Sequence, residues 1–150
     1  MKAIIILAIT FGLSFVSKPI SLDEIRANYQ NTITDEALCK TMIDELNKTK
    51  HISPVILAYL GGIQTIRANH VLSPVSKWNT FKNGKQNIET AYKLDPNNVE
   101  IRFIRLSVQK NVPSFLGYHS NIKEDEAFII RNRHTTSSKI LQQNIDALLK

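Results

Sequence analysis

Cysteine is almost missing from this chain, because Cys39 is the only one among 150 residues. No disulfide can form within the chain, so the fold must depend on its core. The segment DEALCKTMIDEL places Cys39 four residues before Ile43 and seven before Leu46, on the apolar face of a predicted helix. We interpret Cys39 as a small buried hydrophobe rather than a nucleophile or an intermolecular bridge.

Signatures of catalysis and of metal binding are lacking as well. The four histidines show neither His-x-x-x-His spacing nor a ligand spacing that contains cysteine; they are His51, His70, His119 and His134. No G-x-S-x-G, phosphate-binding P-loop or dinucleotide fingerprint occurs. The acidic run after His119, KEDE at 123–126, is interpreted as a solvated helix start. We therefore predict no metal and no cofactor, and nothing in the sequence supports an enzyme.

Clustered positive charge is also absent, although the formal net charge is +6. The basic residues are spread along the chain, and RNR at 131–133 is the densest group. A nucleic-acid site needs a basic face interleaved with aromatic residues, which make up only 7% of this chain. We predict that nucleic acid is not a partner.

Residues 3–16, AIIILAITFGLSFV, contain no charge and follow Met1-Lys2. A basic start before a short apolar run is typical of a secretory signal peptide. The run is too short to cross a bilayer, which takes about 20 apolar residues. We predict a signal peptide at 1–17, a periplasmic or secreted protein, and no transmembrane span after cleavage. The alternative is a buried N-terminal helix.

Strand signals are nearly absent after this segment, whereas helical periodicity is found almost everywhere. Ser21 and Glu24 form a capping-box pattern at the first helix, and Thr34 is the predicted cap of the second. The last helix is predicted to bury Leu141 and Ile145. We predict one all-α domain of about seven helices over residues 18–150.

Glycine is scarce, with five residues in the chain, yet two of them are adjacent in a largely apolar helix. In a helix, Gly61 and Gly62 each reduce stability by about 1 kcal/mol relative to alanine. Such a pair is expected where another helix backbone approaches closely. The next helix carries a seam of bulky and small residues that permits such an approach: Trp78, Phe81, Gly84, Ile88 and Ala91. Trp78 and Tyr92 are interpreted as core residues.

The segment AYKLDPNN at 91–98 resembles the end of a tetratricopeptide repeat. Ala91 and Pro96 have the spacing of that family, Gly84 and Ile88 occupy its small and bulky positions, and AYLGG upstream resembles its first-helix signature. The resemblance implies paired antiparallel helices over about residues 55–110.

The sequence departs from that pattern in two ways. Gly61 and Pro96 are further apart than the standard repeat of 34 residues allows, and arginines replace expected aromatic and Leu-Gly positions after Pro96. The expected core is therefore tetratricopeptide-like with extended or degenerate repeats. The block from YLGG to LSVQ is also similar to small exported proteins of Bacteroidota that carry no assigned activity.

Two polar groups are candidate binding sites. The first comprises Arg67, Asn69 and His70, which either form a pocket for an anion or peptide carboxylate or cap helix ends. The second is the stripe of Arg102, Arg105 and Gln109. It either lines a concave groove, as first helices do in repeat proteins, or forms a solvated face with ion pairs to nearby carboxylates.

Taken together, the sequence predicts an exported, non-catalytic helical domain that binds an unidentified protein or acidic peptide. The expected surface is a partly basic groove with Arg67, Asn69, His70, Arg102 and Arg105. One alternative is a small-ligand-binding or hydrolytic protein with a polar pocket at Arg67, Asn69 and His70. Another is an accessory subunit of an envelope complex that uses the C-terminal helix, residues 136–150, for contact.

Overall fold

The computed structural model describes residues 19–49 and 52–150. Seven α-helices lie in these ranges: α1 Leu22–Asn28, α2 Glu36–Asn47, α3 Pro54–His70, α4 Pro74–Leu94, α5 Val99–Asn111, α6 Ile122–Asn132 and α7 Lys139–Leu148. Short 3-10 helices lie at Gln30–Ile33, Ser114–Leu116 and Arg133–Thr135. The described ranges contain no strand, which confirms the all-α prediction.

Two expectations concern membranes. The signal peptide predicted at 1–17 lies outside the described residues. Within residues 19–49 and 52–150, no helix combines the length and apolar character that crossing a bilayer requires.

Side-chain caps explain where several helices begin. The Ser21 hydroxyl accepts a hydrogen bond from the Glu24 N–H at 3.2 Å, and the Glu24 carboxylate accepts one from the Ser21 N–H at 2.7 Å. This confirms the capping box. The predicted cap of α2 is wrong by one residue, because the Asp35 carboxylate accepts from the Leu38 N–H at 2.9 Å. Thr34 instead ends the preceding 3-10 turn, to which its N–H is bonded.

The antiparallel pair α3–α4 packs backbone against backbone. A Cβ atom added to Gly61 would lie 2.6 Å from the carbonyl oxygen of Gly84, and one added to Gly84 would lie 2.5 Å from that of Gly61. Neither site has room for a side chain, so the predicted close approach at Gly61 is confirmed. The rest of the seam, Phe81, Ile88 and Ala91, is buried.

Trp78 is the exception, since 52% of its surface is exposed. Its interpretation as a core residue is wrong. Trp78 is six residues before Gly84. In a helix of 3.6 residues per turn, this separation places the two residues about 120° apart around the axis. The side chain therefore lies beside the buried seam rather than on it.

Helix α5 is the centre of the molecule, with ten of its thirteen residues buried. It lies against α3, α4, α6 and α7. It runs parallel to α3, because Tyr59 contacts Glu100 and Gly62 faces Ile104. It runs antiparallel to α4, because Glu89 lies near Arg105 while Tyr92 lies near Arg102.

Cys39 is fully buried, as predicted, with its sulfur 3.7 Å from the Ile63 carbonyl oxygen. Burial raises the pKa of the thiol to about 11. A raised thiol pKa keeps the unreactive protonated form at pH 8. We therefore expect iodoacetamide to leave Cys39 unmodified in the native protein at pH 8 and to modify it fully in guanidinium chloride, as measured by mass spectrometry. Rapid modification of the native protein would contradict this burial.

Candidate functional site

Arg105 does not face solvent. Only 1% of its surface is exposed, and its Nε and Nη2 atoms donate to the two carboxylate oxygens of Asp125, each at 2.6 Å. Asp125 is itself fully buried. Burial disfavours the charged guanidinium, but the hydrogen bonds to Asp125 outweigh this and hold the pKa of Arg105 above its ordinary value. The pair is a bidentate ion pair inside the fold.

Arg102 joins the same cluster and is only 7% exposed. Its Nη1 lies 2.9 Å from Glu124 Oε1 and 3.0 Å from Asp125 Oδ1, and its Nε donates to the Pro96 carbonyl oxygen at 2.8 Å. The hydrogen bond from Arg102 also holds the pKa of Glu124 below its usual range.

Aromatic rings complete the surroundings of both guanidinium groups. The ring centroid of Tyr92 lies 3.6 Å from Cζ of Arg105, and that of Phe128 lies 4.1 Å from Cζ of Arg102. A cation over an aromatic face is stabilised by the ring quadrupole. The prediction that Arg102 and Arg105 line an open groove is therefore wrong, because α6 covers the stripe and supplies the carboxylates.

Glu100 forms a second cluster on α5, apart from these arginines. Its carboxylate accepts from Arg26 Nε at 2.8 Å, from Arg26 Nη2 at 2.7 Å and from the Tyr59 hydroxyl at 2.8 Å. Burial and the neighbouring carboxylate raise the pKa of Tyr59 above its ordinary value. This cluster connects α1, α3 and α5.

The predicted cluster of Arg67, Asn69 and His70 is divided between two sides of α3. Arg67 donates to Glu36 at 2.6 Å and lines a shallow depression of about 320 Å³ with Lys40 and Asp44. Nε2 of His70 lies 3.0 Å from the Thr32 carbonyl oxygen. Positions 67 and 69 are about 200° apart on a helix, so Asn69 faces elsewhere.

Asn69 belongs to a cavity of about 460 Å³ that is open to solvent on one side and is lined by the 3-10 helix Gln30–Ile33, α3, α5 and the end of α7. None of the thirteen residues that line it is charged. Apolar walls come from residues such as Ile66, Phe103 and Leu148. This central cavity, as we call it, lies between the parallel helices α3 and α5.

Tyr29 and Ser107 supply a pair of hydroxyl groups to the central cavity wall. Their hydroxyl oxygens are 3.0 Å apart and share a hydrogen bond. Burial raises the pKa of Tyr29 to about 12, against the opposing effect of the Ser107 hydrogen bond. Tyr29 is therefore neutral at physiological pH, and the wall offers hydroxyl groups rather than charge.

Three side-chain amides line the same cavity. Among the described residues, those of Gln30 and Asn69 make no hydrogen bond, whereas Nδ2 of Asn111 donates to the Ser107 carbonyl oxygen at 2.7 Å. A free primary amide offers both donors and an acceptor. The central cavity can thus recognise neutral polar groups beside apolar ones.

Sequence reasoning identified Asn69 but missed Tyr29 and Ser107, which lie 78 residues apart. The available signal was modest: Tyr29 follows the buried Ile25 by four residues, on one helical stripe. In the ranges 19–49 and 52–150, no three His, Cys, Asp or Glu side chains are grouped so as to hold a metal ion.

Comparisons of the chain with protein-family models, curated proteins and solved structures find no match. The fold and the cavity define an all-α protein with an uncharged site between its helices. The tetratricopeptide resemblance and the likeness to exported proteins of Bacteroidota stay predictions.

Proposed function

We propose that the protein is an exported, non-catalytic domain that holds a short uncharged segment of a partner protein or peptide in the central cavity. The observation that carries this proposal is the composition of the wall: apolar side chains, a neutral hydroxyl pair and free amides, without a charged group. Export enters the proposal from the N-terminal sequence alone.

A peptide segment suits this wall for two reasons. Each peptide group presents one N–H and one C=O, and the amides of Gln30 and Asn69 can pair with both. The cavity volume of about 460 Å³ lies within the usual range of about 300–1,000 Å³ for ligand pockets. It can accommodate an apolar side chain near Phe103 while the backbone stays at the amides.

The expected acidic partner finds less support here than an uncharged one. Arg102 and Arg105 are occupied by Asp125, and Arg67 lies on the other side of α3. A carboxylate placed in the central cavity would lose hydration without gaining a cation. The proposed ligand is therefore neutral.

The test uses two pools of blocked octapeptides, one without charged residues and one with Asp or Glu at alternate positions. We expect the neutral pool to shift the amide NMR signals of Asn69 and Ser107 and the acidic pool to leave them unchanged. Replacing Asn69, which is exposed at the cavity, by Trp should obstruct the cavity and weaken binding at least about tenfold, since steric exclusion removes the burial of the ligand.

Asn47→Trp is the matched control, because Asn47 is an exposed asparagine at the end of α2, outside the cavity. It should bind like the parent protein. Absence of shifts with the neutral pool, or equal binding by both tryptophan variants, would disprove the proposed site. A preference for the acidic pool would contradict the proposal that the ligand is neutral.

A further inference from the structure

Large apolar side chains project from one end of the bundle. Leu72 is 98% exposed in the turn between α3 and α4, and Phe115 is 84% exposed in the loop between α5 and α6. Val75 and Trp78, in the first two turns of α4, are 70% and 52% exposed. We call Leu72, Val75, Trp78 and Phe115 the apolar tip.

The helix directions bring these residues together. Because α5 is parallel to α3, the C-terminal ends of both helices lie at the same end of the molecule. The turn with Leu72 and the loop with Phe115 begin there. Trp78 and Leu116, the neighbour of Phe115, also line one depression of about 330 Å³ on α4.

The loop that carries Phe115 is held at both sides. The Tyr118 hydroxyl donates to Glu89 at 2.6 Å, and Nε2 of His119 lies 3.0 Å from the Val112 carbonyl oxygen. Gly117, with a φ of 63°, supplies the left-handed turn after the 3-10 helix. Phe115 is thus presented to solvent by an anchored backbone.

Unpaired positive charge lies directly behind the apolar tip. Residues 74–88 of α4 contain Lys77, Lys82 and Lys85 and no acidic residue, and residues 112–121 contain no Asp, Glu, Lys or Arg. In the described part of the chain, the lysines that form ion pairs are Lys48 and Lys110. Lys85 lies over the ring of Tyr118, 4.8 Å from its centroid. Lys77 and Lys82 are exposed and form no ion pair with a described residue, so they are available to an anionic partner.

We propose that the apolar tip and these lysines dock the protein onto an anionic lipid bilayer surface. One stripe of α4 changes from apolar to basic along the helix. It contains Val75 and Trp78 near the N-terminus and then Lys82 and Lys85, at spacings of 3, 4 and 3 residues. Val75 and Lys82 are about 10 Å apart along the axis. Insertion of the tip by about 5–10 Å would place the lysines among lipid phosphates and Trp78 at the interface.

A bilayer fits this surface better than an acidic protein does. Leu72 and Phe115 project almost completely into solvent, and a protein could bury them only with matching hollows. Fluid acyl chains surround a projecting side chain without a preformed hollow. This docking surface is separate from the central cavity, so either proposal can fail alone.

Trp78 is the only tryptophan and therefore reports directly from the tip. The test adds vesicles of equal parts phosphatidylglycerol and phosphatidylcholine to the full-length chain. We expect the fluorescence emission of Trp78 to shift to shorter wavelength and its quenching by acrylamide to decrease. Pure phosphatidylcholine should have little effect, and added NaCl should reverse the shift. Lys77→Gln with Lys82→Gln should require about tenfold more anionic lipid.

Matched variants locate the effect. Leu72→Ser with Phe115→Ser should abolish the blue shift, whereas Leu94→Ser with Ile130→Ser, which changes exposed residues outside the tip, should retain it. Lys40→Gln with Lys93→Gln is the corresponding charge control. All variants carry the same residues 1–17, so any membrane affinity of that segment is common to them.

Three results would overturn the proposal. The first is an unchanged Trp78 spectrum with anionic vesicles, or equal shifts in the tip and control variants. The second is a shift with polyglutamate but not with vesicles, which would assign the surface to an acidic protein. The third is a lipid-free dimer that Leu72→Ser with Phe115→Ser dissociates in sedimentation velocity, which would assign it to a second copy.

Discussion

Arg105→Ala is expected to lower the free energy of unfolding by about 3 kcal/mol, because it removes the bidentate partner of a buried carboxylate. Asp125 then keeps only its longer contact with Arg102, at 3.0 Å. Asp125 has no exposed surface, and Arg105 provides its two shortest hydrogen bonds, both of 2.6 Å. Urea denaturation followed by circular dichroism measures the change. A groove-lining arginine would instead affect binding and leave stability unchanged.

Arg133→Ala is the matched control for Arg105→Ala. Arg133 also pairs with an aspartate, Asp146, at 2.8 Å, but more than half of each side chain is exposed. Surface pairs of this kind contribute at most about 1 kcal/mol. If the two alanine variants unfold at the same urea concentration, the buried pair does not have the proposed role. Arg105→Leu with Asp125→Leu should recover much of the loss, because the buried carboxylate is removed together with its partner and Arg102 still pairs with Glu124.

Gly61→Ala is expected to destabilise the protein by about 3 kcal/mol through overpacking, although alanine is the better helix former by about 1 kcal/mol. The new Cβ would meet the Gly84 carbonyl oxygen at 2.6 Å and the Ile88 backbone nitrogen at 2.9 Å. Backbone atoms cannot rotate away as a side chain can. The α3–α4 pair must therefore separate along its length, which thermal unfolding will reveal as a lower midpoint.

Thr90→Ala provides the comparison for Gly61→Ala. Thr90 is exposed on α4, so alanine there should be neutral or slightly stabilising by its helix propensity. A higher melting temperature for Gly61→Ala than for the parent protein would contradict the direct backbone contact between α3 and α4.

The fold was largely predictable because its signals are local. Helical periodicity, the Ser21–Glu24 capping box and the Gly61-Gly62 pair each concern residues within one or two turns of each other, and the structure agrees with them. Local patterns determine which face of a helix is apolar. They do not determine which other helix covers a polar face.

The arginine stripe shows this limit. The acidic run at 123–126 was interpreted as solvated, and its outer members Glu124 and Glu126 do retain exposed surface. Asp125 between them is turned inward by about 100° and is fully buried. Whether a carboxylate in such a run is buried depends on how α6 crosses α5, and no pattern within either helix specifies that.

The central cavity was unpredictable for a related reason. Its wall combines Tyr29 from the first helical segment, Asn69 from α3 and Ser107 from α5. Their proximity depends on tertiary packing across large sequence separations. Asn69 was the member that the sequence singled out, and its neighbours Arg67 and His70 have other partners.

The two charged clusters on α5 have a mechanical consequence. Glu100 is held by Arg26, while Arg102 and Arg105 are held by Asp125 of α6. A slip of α5 by one turn, about 5.4 Å, would break both sets of ion pairs at once, so this helix is fixed in register. Because α5 cannot shift, a ligand that binds beside it must use space that is already open or displace α7.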